Sequence, residues 1–467
     1  MTLISLLYSS LRGWKLTIQS FLREVARTLV LSRLSSFSSG LLCIQDMYGT
    51  EIAVLGDAKA HHFQVPAVLV VHSDSFWLRA LLFGDIGFSQ SYMLHEISTP
   101  NLTAVFEFFV QNASRKSSFA SWRVVGLFGA LTRAAFKSAN NVSAAKLNAI
   151  AHYSLGNDMF SAFLSPDMTY SAALWLPSAD PRSQTETLEE AQMRKLQHAI
   201  SAARIKPTDH VLEVGTGWGS FAILAARTTG CRVTTVTPSL AQKRLVEGRI
   251  ADAKLSEQVE VFLGDYREVG SLNVKFDKIV SIEMIEHVGH RYLDTYFACM
   301  DRYLKDDGLG YFQCITIPEA RYDGYVKGED FIQKYIFPGG HLPTVSGLVS
   351  SINAGSKGTL VVEEIMSFGG HYVKTLQCWR DNFLANFDDM IAPALRKEHP
   401  RMTDADLDVF KRKWDYYFCY CEAGFKTKTI GDVGITVGRE GALELLEVHN
   451  SKTSSSLRYL QPLRYFT

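Results

Sequence analysis

From Val211 to Ile317, short apolar runs alternate with longer stretches whose apolar residues recur every three or four positions. The runs predict strands at 210–215, 231–237, 259–263, 276–282 and 309–317, and the stretches between them predict helices at 219–227, 239–251 and 291–304. Such alternation builds a doubly wound parallel sheet with helices on both faces. Just upstream, Leu188, Met193, Leu196, Ala199 and Ile200 mark one helix from Thr187 to Ile205. Thr187 and Glu190 form a capping box at its start, and Lys206-Pro207 stops it.

The N-terminal third reads differently. Leu41–Ile44, Glu51–Val54, Ala67–Val71 and Trp77–Leu82 are short β-like runs, followed by a helix over 101–111 with an apolar side at Val105, Phe106, Phe108, Phe109 and Val110. This is a small α+β domain, expected over 35–135, with a basic segment before it at 1–34. A polar stretch around 136–145 opens a connector, expected with active-site-covering helices over 136–186. The catalytic α/β domain is expected over 187–447. Within it, 318–346 is rich in Gly, Pro and aromatics and suits a lid. Helical tracts follow at 375–387 and 404–421, and a Ser/Thr/Lys-rich stretch at 450–457 marks 448–467 as a flexible tail.

Lys+Arg and Asp+Glu are equal at 48, so no global charge points to nucleic acid as a partner. Seven cysteines form neither a C-x-x-C pair nor a zinc spacing, which fits a reducing compartment such as cytoplasm. The three sequons, at Asn101, Asn112 and Asn141, are then accidental. No uninterrupted apolar run reaches the roughly 18–20 residues of a membrane span. Residues 1–34 carry Arg12, Lys15, Arg23, Arg27 and Arg33 against Glu24 alone, among Leu, Ile, Phe and Trp. Three readings stay open for this segment: a helix lying on a membrane surface, an organelle-targeting peptide, or a helix packed on its own domain. Aromatics at 12% fit a large core or an apolar ligand tunnel.

The chemistry gathers at predicted strand ends. Gly215, Gly217 and Gly219 follow the first strand, a pattern shared by dinucleotide and S-adenosylmethionine (SAM) sites. The second strand ends in Thr237-Pro238 with Gln242 one turn on, whereas a nicotinamide site wants an acid there. Asp265 and Tyr266 follow the third strand, suited to an adenine amine and an adenine face. The fourth ends in Ser281-Ile-Glu-Met-Ile-Glu286-His287, an acid–histidine pair facing the same place. Glu286 also has the bland reading of a helix cap, and His287 and Tyr372 those of core residues.

With these stretches in order, the chain resembles the cyclopropane-fatty-acyl-phospholipid synthases, SAM-dependent lipid methyltransferases that include the mycolic acid cyclopropane synthases. The resemblance runs from about 75 to 430. It is diffuse over 83–93 and specific at 152–158, Tyr170-Ser171, 188–192, 212–219, 265–267, 286–289 and 334–340. It implies SAM contacts at Tyr170, Ser171, Gly215, Gly217, Thr237, Gln242, Asp265, Tyr266 and Arg267. It implies a bicarbonate ion at the reacting centre, held by Glu286 and Tyr372 with Gln313, Ile315 and Ala172 around it, as acceptor of a proton from the transferred methyl. Gln313 stands where the family's bacterial members have histidine, and Ala172 where a cysteine is usual. The amide of Gln313 can still bond an oxyanion, and alanine suffices where only a backbone N–H is used.

The expected reaction is transfer of a methylene group from SAM to a cis double bond of a phospholipid acyl chain, by an enzyme peripheral on the membrane. The small N-terminal domain would present lipid or make a homodimer contact. Alternatives are a C-methyltransferase making methyl-branched chains, a methyltransferase of a sphingoid base or an amine, and a non-catalytic lipid-binding protein.

Overall fold

The computed structural model describes residues 20–57, 66–113 and 156–442, and all structural statements below concern those residues. The expected connector at 136–145 and the tail at 448–467 lie outside them. Four strands, β1 (Gly40–Asp46), β2 (Glu51–Asp57), β3 (Ala67–Val71) and β4 (Ile97–Ser98), form a sheet in the order β2-β1-β3-β4. Seven more, β5 (His210–Val214), β6 (Arg232–Thr237), β7 (Val259–Leu263), β8 (Phe276–Ile282), β9 (Leu304–Thr316), β10 (Leu360–Ser367) and β11 (Gly431–Arg439), order as β10-β11-β9-β8-β5-β6-β7. Strands β5 to β9 pair in parallel, and β11 runs antiparallel between β9 and β10. The chain winds from β5 out to β7, then returns to lay β8 on the other side of β5. A crevice therefore opens at the carboxyl ends of β5 and β8, the usual place for a ligand in such sheets.

The helix from Leu188 to Ala202 carries the expected capping box, with the Glu190 N–H on Thr187 Oγ1 at 3.2 Å and the Thr187 N–H on Glu190 Oε2 at 2.8 Å. The expected helix at 101–111 runs Leu102–Asn112, capped by the Asn101 side chain on the Ala104 N–H.

Three expectations change. Trp77–Leu82, read as β-like, belongs to a helix from Ser75 to Phe83. It buries Phe76, Trp77, Arg79 and Ala80, and a short apolar run looks alike as a strand or as a buried helix. The irregular lid at 318–346 contains helices Glu319–Tyr325 and Phe331–Tyr335. Strands β10 and β11 had no strand signal, because β11 is interrupted by Gly434 and Gly438 and β10 lies at the edge of the sheet.

A 23-residue helix, Asp404–Lys426, joins the two sheets' territories. Its Tyr416 packs against Phe106 and Phe88 of the N-terminal unit, with ring centroids 5.0 and 6.4 Å apart, and Asp415 accepts the Tyr92 hydroxyl proton at 2.5 Å. On its other side Trp414 and Phe418 meet Phe163 and Phe383. Burying each such ring is worth about 1.5–3 kcal/mol. The N-terminal unit is thereby anchored through this helix. A further helix over 20–34 buries Ala26, Val30 and Leu34 in the same core, so packing on its own domain holds for that face.

Candidate active site

The loop after β5 has three glycines with left-handed backbone, Gly215 (φ +102°), Gly217 (φ +51°) and Gly219 (φ +85°). A Cβ on Gly217 would meet no protein atom within 4 Å, so the backbone there borders open space. A Cβ on Gly215 would lie 3.2 Å from the side chain of Met284, in the loop after β8. The glycine turn and the segment 283–286 are therefore in direct contact.

Around the turn stand the other expected cofactor contacts. Thr237 Oγ1 donates to Gln242 Oε1 at 2.6 Å. Asp265 is paired with Arg267, whose Nε and second guanidinium nitrogen reach its two oxygens at 2.6 and 2.9 Å, and this pairing holds the Asp265 carboxyl below its usual range. Tyr266 lies half-buried, edge-on to Tyr296. Ser171 is held from behind, its carbonyl accepting from Gln192 Nε2 at 2.8 Å and its hydroxyl from Lys195 Nζ. Burial pushes the Lys195 ammonium down to about 8. The ring of Tyr170 lies among Phe160, Phe163 and Trp379, its hydroxyl bonds that of Tyr417 at 2.9 Å, and it lines a cavity; Phe160 in turn packs on Trp218 of the glycine turn.

That cavity, of about 230 Å³, is walled largely by apolar and aromatic side chains, among them Ile317, Phe337, Leu376, Tyr417, Tyr420 and Phe425. Its polar lining includes Glu283, Glu286 and Tyr372, and also Arg321, Asp330 and His341. Three adjacent strands build the wall around Glu283. Glu283 leaves β8, Gln313 lies on β9, and Asp432 opens β11 opposite Ile315. Tyr372 comes from the first turn of the helix Gly369–Ala385, its ring stacked on Phe425 at 4.3 Å.

The five residues expected around the reacting centre do converge here, but on two different carboxyls. The Ile315 N–H donates to Glu286 Oε1 at 2.6 Å. The Ala172 N–H and the Gln313 amide donate to Glu283 Oε1 at 2.9 and 3.0 Å, and the Tyr372 hydroxyl donates to Glu283 Oε2. The Gln313 amide also reaches Asp432 at 2.8 Å. Among the described residues, buried Glu286 Oε2, Gln313 Oε1 and Asp432 Oδ1 have no partner. Burial pushes the Glu286 carboxyl up to about 8, with the nearby Glu283 adding to it. Asp432 is pushed well above its usual range by burial, Glu283 adding again. Glu283 is also raised by burial, but its hydrogen bonds and Lys195 oppose the rise. The donors expected around bicarbonate are thus already engaged, three by Glu283 and the Ile315 N–H by Glu286. What remains is acceptors and the hydroxyls of protonated Glu286 and Asp432, the latter turned to Glu283, a set poor in donors for an added oxyanion.

Glu283, Asp432 and Lys195 were not among the expected site residues. Glu283 had a signal in the sequence, a second carboxylate three positions before Glu286 at the same strand end. It also sits at φ +50°, a conformation that costs a side chain of order 1–3 kcal/mol and that accumulates at functional sites.

The family model described as mycolic acid cyclopropane synthetase matches residues 141–433. Over 381 residues the chain is 33% identical to tuberculostearic acid methyltransferase UfaA1 of Mycobacterium tuberculosis, covering 81% of this chain and 84% of that one. It is also 33% identical over 368 residues to the cyclopropane-fatty-acyl-phospholipid synthase of Escherichia coli K12, covering 78% and 86%. Among solved structures, mycolic acid cyclopropane synthase CmaA1 of the complex with SAH and CTAB superposes with a TM-score of 0.51 at 27% identity, over 63% of this chain and 98% of that one. The glycine turn, the crevice and the apolar cavity agree with these likenesses: the chain belongs to the mycolic acid cyclopropane synthetase family and is a SAM-dependent methyltransferase.

Proposed function

We propose that the chain transfers a methylene group from SAM to a cis double bond of a phospholipid acyl chain, closing a cyclopropane. The observation that carries this reading is the contact between Gly215 and Met284, which joins the glycine turn to the carboxyl-bearing end of an apolar cavity. An alkene in the cavity would lie with its chain among aromatic rings and its double bond towards Glu283 and the donor. The aromatic faces of Tyr372 and Phe425 suit a transient carbocation, since ring faces attract cations.

On the donor side, the reading assigns Tyr170, Ser171, Gly215, Gly217, Thr237, Gln242, Asp265, Tyr266 and Arg267 to SAM, with Tyr170 also in the cavity wall. Bound there, SAM supplies an electrophilic methyl group. No step is assigned to bicarbonate, because the donor set for it is filled from within the chain. Peripheral attachment to membrane draws support from the helix over 20–34, where Phe21, Leu22, Val25 and Leu29 are 67, 38, 38 and 49% exposed beside Arg23 and Arg27. No described helix is long and apolar enough to cross a membrane.

Methyl branching is the second reading, favoured by the likeness to a relative named for tuberculostearic acid methylation. A sphingoid acceptor has a weaker likeness, 31% identity over 51% of this chain to a sphingolipid C9-methyltransferase of Komagataella phaffii. Incubation with SAM and liposomes of cis-unsaturated phospholipid, followed by mass spectrometry, tests all of these. A gain of CH₂ with loss of the double bond supports the cyclopropane. A gain of CH₂ with a double bond retained moves the assignment to branching. No lipid product overturns it.

A further inference from the structure

We propose that Glu283 is the proton acceptor of the reaction, a base carried by the chain itself, so that turnover needs no bicarbonate. This rests on the reading of the chain as an enzyme that methylates an alkene. Three donors from three separate elements converge on Glu283: the Ala172 N–H, the Gln313 amide and the Tyr372 hydroxyl. These are three of the five groups expected to surround the ion. Its carboxylate lines the cavity, and the next residue, Met284, touches Gly215 of the donor loop. A methyl group passing from the loop to an alkene in the cavity would pass beside it.

The neighbouring groups select Glu283 as the charged member of the cluster. Glu286 accepts one N–H and Asp432 one amide N–H, whereas Glu283 accepts from three groups and has the Lys195 ammonium as its main ionic partner. Lys195 is the ammonium acting on this cluster, its largest ionic neighbour is Glu283, and a buried negative charge belongs where the donors and the ammonium are. The tilt of the backbone at Glu283 into the left-handed region aims this side chain at a cost that glycine would avoid.

The step balances. The alkene's π pair forms a bond to the sulfonium methyl, the C–S bond breaks with its pair to sulfur, and S-adenosylhomocysteine leaves neutral. A carbocation remains beside the new methyl. Glu283 takes one proton from that methyl, the C–H pair closes the third ring bond, and Glu283 ends as a neutral acid that returns its proton to solvent before the next turnover. The alternative that ends as a methyl-branched alkene loses one proton from the same cation, so the same base serves either product.

The test uses the full chain with SAM and dioleoyl phosphatidylglycerol vesicles in buffer stripped of carbon dioxide, with and without 10 mM bicarbonate added (about a hundredfold over residual levels by design). The wild-type rate should agree within twofold between the two. Glu283→Gln should bind SAM as the wild type does in calorimetry, yet lose roughly 10²–10⁴-fold in product, the worth of a positioned base. Glu283→Gly, which frees the three donors, should regain part of its activity with added bicarbonate or formate. A wild-type rate that collapses without bicarbonate and returns with it overturns the proposal, as does full activity in Glu283→Gln. A second readout does not depend on turnover: ¹³C-bicarbonate should show no bound signal with the wild-type protein and SAM, and a bound signal with Glu283→Gly. Bound bicarbonate in the wild type overturns the proposal even on its own. If the wild type makes no lipid product, the lipid reading fails, and the bicarbonate titration still decides whether Glu283 holds the ion's place.

Discussion

The proposed donor and acceptor sides of this site are built in opposite ways. The glycine turn, Thr237, Gln242 and Asp265 sit at the ends of β5, β6 and β7, within about fifty residues of one another in sequence, and their polar groups bond near neighbours such as Thr237 with Gln242 and Asp265 with Arg267. The acceptor side draws Ala172, Glu283, Gln313, Tyr372 and Asp432 from five separated segments into one buried cluster. A donor shared by many reactions is held by backbone turns at strand ends, which leave a local sequence pattern. The chemistry peculiar to the acceptor is held by long-range contacts, which do not.

The largest effect expected from breaking one side alone is at Gly217. A valine there places atoms in the open space that borders the turn and must also adopt φ +51°, which β-branched residues resist. Gly217→Val should weaken SAM binding at least a hundredfold by calorimetry. Its Tm should fall by only a few degrees, since no protein atom is struck. Unchanged SAM affinity in the folded variant would remove the glycine turn from the donor site.

On the acceptor side, Tyr372→Phe deletes one charge-assisted hydrogen bond to Glu283 and keeps the ring on Phe425. Such bonds are worth about 1.5–3 kcal/mol, so product formation should fall roughly 10–100-fold with SAM affinity intact. A matching loss of SAM affinity would mean that the two sides are not separable.

This division also explains what could be read from the chain. The parallel strands and the helix from Leu188 were legible because periodicity and a capping box are local. Trp77–Leu82 reads as a strand because a short apolar run looks alike as a strand or a buried helix, and β11 is illegible because its place between β9 and β10 is a tertiary fact. Glu286 was found through its motif. Glu283, in the same motif, was passed over because its role depends on Ala172, Gln313 and Tyr372 arriving from elsewhere. The same point bears on bicarbonate: the donors expected around it reach the chain's own carboxyls, a convergence that no local pattern in the sequence announces.

Glu286 sharpens the contrast within the acceptor side. Its carboxyl is pushed to about 8 in the folded protein from a usual 4.5, so the folded form holds a proton that the unfolded form releases. The stabilisation is complete below pH 4.5 and is lost as pH rises to about 8, by at most a few kcal/mol. Glu286→Gln should flatten the decline of Tm between pH 5 and 8. Part of the decline should remain, because buried Glu213 is raised to about 8 as well. Product formation should fall about tenfold, the worth of one altered buried hydrogen bond, far less than in Glu283→Gln. A loss equal to that of Glu283→Gln would return the leading role to Glu286.

The smallest effect concerns the surface on which the proposed acceptor side would meet a lipid. Removing the whole helix over 20–34 would also strip Ala26, Val30 and Leu34 from the core and confuse binding with stability. Phe21→Ser with Leu29→Ser changes only the exposed face. Each loses roughly 1–2 kcal/mol of apolar transfer at a membrane interface when fully inserted, and less when partly so. Sedimentation with anionic liposomes should therefore drop severalfold, with Tm and SAM affinity unchanged. Activity on vesicles should fall in step, while activity on a short-chain, micelle-forming phospholipid should not, because such a lipid can enter the cavity without the protein docking on a bilayer. Equal sedimentation of the variant and the wild type would free this helix from any membrane role and leave its exposed apolar face for another surface to cover.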